Sequence, residues 1–243
     1  MKVLGIIPAR FGSSRLEGKP LKDICGKPMI QHVYERTKQS NLLTDVIVAT
    51  DDQRILDAVI GFGGKAQMTS IHHKNGSTRI AEVVESHEGD IIVNIQGDEP
   101  LINPALIDEV VSALISDPEA PVSTLCRRIE DPEDIHNPNV VKTTFDLEGN
   151  ALLFSRSPIP YPRHTDAYNV YEHIGIYCYR RDFLLEYIHW DQTPLEMTES
   201  LEQLRILEHG HRIKVVNTQI QYEGLSVDTQ EDLDKVRRIL SAG

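Results

Sequence analysis

No run of about 18 apolar residues occurs in this 243-residue sequence, so a membrane-spanning helix is not expected. Basic residues are scarce as well: 25 Lys and Arg stand against 37 Asp and Glu, a formal charge of −12. That balance argues against a general nucleic-acid binder, which carries basic patches or a basic arm. It also leaves no basic amphipathic helix for a membrane surface. Cysteine is limited to Cys25, Cys126 and Cys178, an odd number with no CxxC and no ligand-like spacing. The pairs His72-His73 and His209-x-His211 lack a third ligand at usable spacing, which argues against zinc. The opening MKVLGIIPARFG has too short an apolar run for a signal peptide and no small-residue cleavage site, so a cytoplasmic, thiol-reduced protein is expected. No internal repeat or low-complexity segment is found. What remains, 40% hydrophobic residues, suffices for a packed core.

Short apolar runs alternate with helical patterns through the first half. Residues 3–7 form a continuous run, as in a strand buried on both faces of a parallel sheet. Met29, Ile30, Val33 and Tyr34 share one helical stripe behind Pro28. Strands over 45–50 and 91–95, and helices around 55–60 and 78–87, complete a β-α-β-α order typical of a doubly wound sheet. Past about residue 120 the pattern changes. Strands are expected at 122–125, 140–145 and 152–155, the last two as a hairpin across Glu148-Gly149-Asn150. A Pro-rich connection, a strand at 174–179, helices at 182–189 and 195–209, a strand at 213–217 and a helix at 230–240 follow. The expectation is one domain over 1–243, with a nucleotide-binding half to about 120. The remainder reads as a smaller mixed α/β part on the same sheet, with the C-terminal helix packing back.

Two features carry chemistry. The loop after the first strand brings Arg10, Arg15 and Lys19 together among small residues, and Gly12, Ser13 and Ser14 let backbone N–H groups approach an anion. Such a loop, at the carboxyl end of a parallel strand, suits a triphosphate; read by itself it is equally a solvated surface loop. GxxxxGK[ST] and GxGxxG are both absent. Asp98, in Asn94-Ile95-Gln96-Gly97-Asp98-Glu99-Pro100, ends the strand that starts at Ile91 and suits a Mg²⁺ shared with nucleotide phosphates, or a turn. Asp228 precedes a Thr229…Asp232 capping box and is either a second metal ligand or a helix cap.

Seven motifs follow in order along the whole chain: IPARFGSSRLEGKPL, VATDD, NIQGDEP, LFSRSPIPYPR, HIGIYCYRRDFL, ESLEQLRILEHG and SVDTQEDL. Together they resemble the 3-deoxy-manno-octulosonate (Kdo) cytidylyltransferases. The resemblance implies an α/β nucleotidyltransferase (Rossmann-like) fold with a mostly parallel sheet flanked by helices, and a homodimer formed by the second part. It implies the reaction CTP + Kdo → CMP-Kdo + pyrophosphate, with Mg²⁺, for lipopolysaccharide biosynthesis. By motif, Pro8, Ala9, Arg10, Gly12, Ser13, Arg15 and Lys19 would bind CTP, with Ser77 and Arg79 near the nucleotide and Gln96 toward the cytosine. The segment Gly76-Ser77-Thr78-Arg79 stands where the family more often has Gly-Thr-Asp/Glu-Arg. Asp98 and Asp228 would hold the metal and act with Lys19 and Arg15 in catalysis, while Arg156, His173, Tyr177, Glu202 and Gln203 would line the sugar-acid pocket.

A carboxylate substrate with many hydroxyls calls for one cation and several mixed hydrogen-bonding groups, which those five residues supply. Taken singly, His173 is also a half-buried strand histidine, Tyr177 a core ring, and Glu202 and Gln203 the outer face of a helix whose core stripe is Leu201, Leu204 and Leu207. In-line attack of the anomeric hydroxyl on the α-phosphorus is expected, driven by positioning and the metal without an obligatory general base. Rival readings are a cytidylyltransferase for 8-amino-Kdo or a sialic acid, and a non-catalytic nucleotide-binding module.

Overall fold

The segment Val3–Ala9 forms β1, and its unbroken apolar run is explained by its neighbours: strands pair with it in parallel on both edges, and Val3, Leu4, Ile6 and Ile7 are all buried. The computed structural model describes residues 1–12, 15–166, 168–222 and 224–242. After β1 come a 3-10 turn (Lys19–Leu21), β2 (Asp23–Ile24), β3 (Lys27–Pro28), α1 (Met29–Thr37), β4 (Asp45–Thr50), α2 (Gln53–Gly61), β5 (Ala66–Met68), α3 (Gly76–Ser86), β6 (Ile91–Asn94) and α4 (Pro104–Ser116). The chain continues through β7 (Val122–Arg128), α5 (Pro132–His136), β8 (Lys142–Phe145), β9 (Ala151–Ser155) and β10 (Tyr171–Arg180). It ends with α6 (Arg181–Tyr187), α7 (Pro194–Glu199), α8 (Gln203–Glu208), β11 (Ile213–Asn217) and α9 (Gln230–Ser241). None of these helices is long and apolar enough to cross a membrane.

Two compact units emerge, Met1–Asp108 with Ile220–Gly243, and Glu109–Gln219. The first is a parallel sheet in the order β6-β1-β4-β5. Its register sets Ile6 opposite Ile47 on one side and Asn94 on the other. Leu233 and Val236 of α9 pack with Leu16, Ile24, Met29 and Val227 in one apolar cluster, which places the C-terminal helix in this unit. The α9 start has the capping box that its sequence suggests: Thr229 accepts from Asp232 N, and the Asp232 side chain accepts from Thr229 N.

In the second unit β11 runs parallel to β7, β7 antiparallel to β10, and β10 antiparallel to β8. The β8–β9 hairpin turns over Asp146–Asn150, where Asp146 Oδ1 accepts from the Glu148 and Asn150 amides and Gly149 takes φ 81. The result is a mostly parallel, helix-flanked α/β arrangement, with the β6-β1-β4-β5 sheet of the first unit wholly parallel and the strands of the second mixed.

Several elements depart from the sequence reading. The helix expected over 195–209 is two helices, because Ser200 adopts a left-handed conformation (φ 53) that interrupts the hydrogen-bond ladder. Helix α4 lies outside the sequence expectations although its apolar positions Leu106, Ile107, Val110, Val111 and Leu114 are helically spaced and buried. Strand β5 and the β2–β3 ribbon, two or three residues per strand, are too short for periodicity to register.

Candidate active site

Close backbone approach builds the rim of the first unit. A Cβ on Gly97 would lie 2.6 Å from Pro8 O, so glycine is required where the end of β6 meets the end of β1. One residue later, the Asp98 carboxylate emerges beside the loop that leaves β1. Lys19 Nζ donates to Asp98 Oδ2 at 2.8 Å and to Asp228 Oδ1 at 3.1 Å. Arg15 Nη2 lies 3.0 Å from Asp228 Oδ2. Four groups from sequence positions 15, 19, 98 and 228 thus form one cluster.

Neither aspartate side chain is used by the adjoining cap or turn. Thr229, not Asp228, caps α9, which leaves the Asp228 carboxylate to the cluster. The turn at Asp98 is closed by backbone bonds from Glu99 N to Gln96 O and from Ile102 N to Glu99 O, so its side chain is not spent on the turn. Val227 N donates to Asp98 O at 2.9 Å and ties the two aspartate-bearing segments together. Tyr222 OH donates to Glu99 Oε1 at 3.3 Å across the same seam. Burial, reinforced by the neighbouring Asp98 charge, pushes the Glu99 carboxyl up to about 8.

The other nucleotide-side candidates are distributed around this cluster. Arg10 and Gly12 are exposed, Pro8 is half-buried and Ala9 buried at the end of β1; Ser13 lies outside the described residues. Ser77 is buried in the first turn of α3, whose first residue, Gly76, stands against Pro8. Arg79 is buried, with Nη2 2.7 Å from Asp51 Oδ2 and Nη1 donating to Thr69 Oγ1 at 2.7 Å. Its charge is therefore already paired, and Asp51 and Thr69 are partners that no spacing rule signals. Gln96 is half-buried.

A further contact escaped the sequence reading. The Arg54 guanidinium sits 3.3 Å from the Phe11 ring centroid while Asp52 grips its Nε and Nη2. Gly18, at φ 64, packs on the same ring and donates its N–H to Phe11 O. The cationic loop is thereby held at its base.

The second unit gathers the sugar-side candidates. Between Ile174 and Tyr177 the β10–β7 register shifts by two residues, which preserves side-chain parity and keeps His173 and Tyr177 on one face, ring centroids 5.2 Å apart. Burial pushes His173 down to about 3, so the ring is neutral. The Thr124 hydroxyl donates to Ile176 O at 2.8 Å, so His173 Nε2 donates to Thr124 Oγ1 at 2.9 Å, and Nδ1 is the ring's acceptor. The buried Tyr177 hydroxyl has no hydrogen-bond partner among the described residues, and burial raises its pKa far above the ordinary value.

Arg156 Nε donates to Glu199 O, and Nη1 to Pro138 O, at 2.7 and 2.9 Å. The Glu199 carboxylate is taken up by Ser155 Oγ and Arg156 N, so the guanidinium faces carbonyls and keeps its net charge. Glu202 is half-buried, its carbonyl accepting from Tyr187 OH, and Gln203 is buried at the start of α8. The outer-face alternative thus fails for Gln203. Among the described residues no group of three or more His, Cys, Asp or Glu is arranged to hold a metal ion.

The cytidylyltransferase family profile matches residues 4–213, most of the chain. A 3-deoxy-manno-octulosonate cytidylyltransferase of Geotalea uraniireducens is 53% identical, covering 97% of this chain and 98% of that one. One from Fusobacterium nucleatum is 52% identical, with 97% and 96% covered. The chain belongs to the 3-deoxy-manno-octulosonate cytidylyltransferase family.

A solved CMP:2-keto-3-deoxy-manno-octonic acid synthetase complexed with CTP is 46% identical and superposes with a TM-score of 0.96, covering 100% of this chain and 99% of that one. A cytidylyltransferase of Leptospira borgpetersenii, 20% identical with a TM-score of 0.66, shares the fold alone.

Proposed function

We propose that this protein transfers the cytidylyl group of CTP to the anomeric hydroxyl of Kdo, giving CMP-Kdo and pyrophosphate for lipopolysaccharide biosynthesis. The observation that carries the site assignment is the convergence of Asp98 and Asp228 on Lys19 Nζ beside Arg15. Two carboxylates that reach one cation at 2.8 and 3.1 Å suit a hard divalent ion, whose other oxygen ligands come from phosphate and water. Asp98 and Asp228 would hold Mg²⁺, which when bound neutralises phosphate charge and lowers the pKa of the attacking hydroxyl.

The remaining work falls to the chain itself. Arg10, Arg15 and Lys19 draw the triphosphate to the loop and stabilise the charge that develops on the departing pyrophosphate. The backbone at Gly12 approaches the phosphates, Ser77 and Gln96 contact the nucleoside, and Arg79 braces the rim from its buried pair with Asp51. In the second unit Arg156 attracts the Kdo carboxylate. Neutral His173 offers Nδ1 as an acceptor, and Tyr177 and Gln203 offer buried polar groups that a polyhydroxylated ligand satisfies. The bond from the anomeric oxygen to the α-phosphorus forms as the α–β anhydride bond breaks, pyrophosphate leaves with the electron pair, and the hydroxyl proton passes to solvent water.

The protein works as a cytoplasmic homodimer. A second copy is the proposed cover for Leu147, Leu152 and Tyr161, apolar side chains that stand well exposed on and after the β8–β9 hairpin.

Pyrophosphate release with Mg²⁺ and CTP, compared across Kdo, 8-amino-Kdo, N-acetylneuraminic acid and no sugar, tests the reading. Release with Kdo alone is the expected result. Release only with another acid would move the substrate assignment, and CTP binding without release from any sugar would return the non-catalytic module.

A further inference from the structure

The contacts that define the cluster also describe its charge state. Lys19 Nζ stands between one oxygen of Asp98 and one of Asp228, and Arg15 takes the other Asp228 oxygen, so two cations neutralise two carboxylates. The Lys19 side chain is only 14% exposed, far less than Arg15 at 65%, so the ammonium is seated between the aspartates. Its place is fixed from behind. Gly18 at φ 64 opens the 3-10 turn, Lys19 N donates to Leu16 O, and Leu16 packs in the apolar cluster with Val227. The aspartates are fixed too, through the Val227 N to Asp98 O bond.

A divalent ion bound by Asp98 and Asp228 would claim the oxygens that the ammonium now holds. Two cations at ion-pair distance in a partly buried site repel strongly, so the ion and the seated Lys19 exclude one another. Lys19 can leave the aspartates at little cost only for another anion, and the anion that the loop is built to meet is a polyphosphate.

We propose a second role for Lys19, assisted by Arg15: it is a stand-in cation that makes entry of the divalent ion conditional on the nucleotide. The phosphates draw Lys19 and Arg15 off the aspartates, and only then are both carboxylates open. By linkage the same coupling makes the ion strengthen nucleotide binding. The inference rests on the assignment of Asp98 and Asp228 as the metal-binding pair.

The test measures Mn²⁺ binding by calorimetry to the purified full chain without nucleotide, and again with CTP but no sugar, where no turnover occurs. Lys19→Met is expected to bind Mn²⁺ without nucleotide about tenfold or more tightly than the unmodified protein does, because the competing charge is gone. Lys19→Arg should retain the weak nucleotide-free binding. Thermal melting checks each fold, and Lys19→Gln repeats the measurement with a second neutral side chain. Neutral variants that bind Mn²⁺ no more tightly than the unmodified protein overturn the stand-in role. Asp98→Asn separates the two levels. If it leaves Mn²⁺ binding to the CTP complex unchanged, the metal assignment falls and this inference with it. If it weakens that binding while the neutral Lys19 variants behave like the unmodified protein, only the stand-in role is lost.

Discussion

At His173 the cost of burying a charge shows up as a pH dependence of stability. The ring titrates near its ordinary 6.5 when unfolded and is held down to about 3 in the fold by burial. Between those values the unfolded chain binds the extra proton, so stability rises with pH. The contribution is complete above about 6.5 and drains away as the pH falls toward 3, amounting to on the order of 4–5 kcal/mol at about 1.4 kcal/mol per pH unit. Replacing His173 with Asn should therefore flatten the decline: urea midpoints at pH 7 and pH 4 should differ much less in the variant. Equal declines would assign the acid sensitivity to another group. Also at this scale, Asp228 and Thr229 are adjacent residues with separate tasks. The capping box was legible in SVDTQEDL because it is local chemistry. The Lys19 and Arg15 contacts to Asp228 span more than 200 positions and obey no spacing rule.

Among the elements, the break between α7 and α8 turns on Ser200, a non-glycine residue at φ 53. Glycine visits this region freely, whereas a β-branched residue resists it. Ser200→Gly should leave the protein as stable or up to about 1 kcal/mol more stable, and Ser200→Val should destabilise it by about 1–2 kcal/mol. Thermal melts of the pair check this; a Val variant as stable as the Gly variant would contradict the left-handed assignment. The break ends the first helix at Glu199 and starts the next at Gln203, which buries Gln203 instead of displaying it. A single amphipathic helix over 195–209 satisfies the apolar spacing equally well, so periodicity could not reveal it. The cationic loop offers a second case, since Arg54 stacks on its Phe11 and is also attracted by its Glu17. Arg54→Ala removes a cation–π contact worth about 0.5–1 kcal/mol at an exposed site, so the KM for CTP should rise about two- to fivefold with kcat unchanged. An unchanged KM would show that the loop is held without it.

For the whole molecule, Leu147, Leu152 and Tyr161 of the second unit are apolar side chains left well exposed. Light scattering coupled to size exclusion should report a dimer, and Leu152→Glu combined with Leu147→Asp should shift it toward monomer. A monomeric unmodified protein, or a dimer indifferent to both changes, would remove the proposed interface.

Buried parallel strands and amphipathic helices write their periods directly into apolar spacing, and in this way the sequence dictated the alternating α/β order of the first half. It also determined the family, since seven ordered motifs span the chain and both the profile and relatives above 50% identity agree with them. Tertiary structure alone decided which charges meet. It seated Lys19 between Asp98 and Asp228, paired Arg79 with Asp51 in the interior, and set neutral His173 against Thr124 across a register shift. These are long-range contacts among short-range polar groups. Their energies depend on burial and on angstrom-scale distances, which only the folded chain fixes.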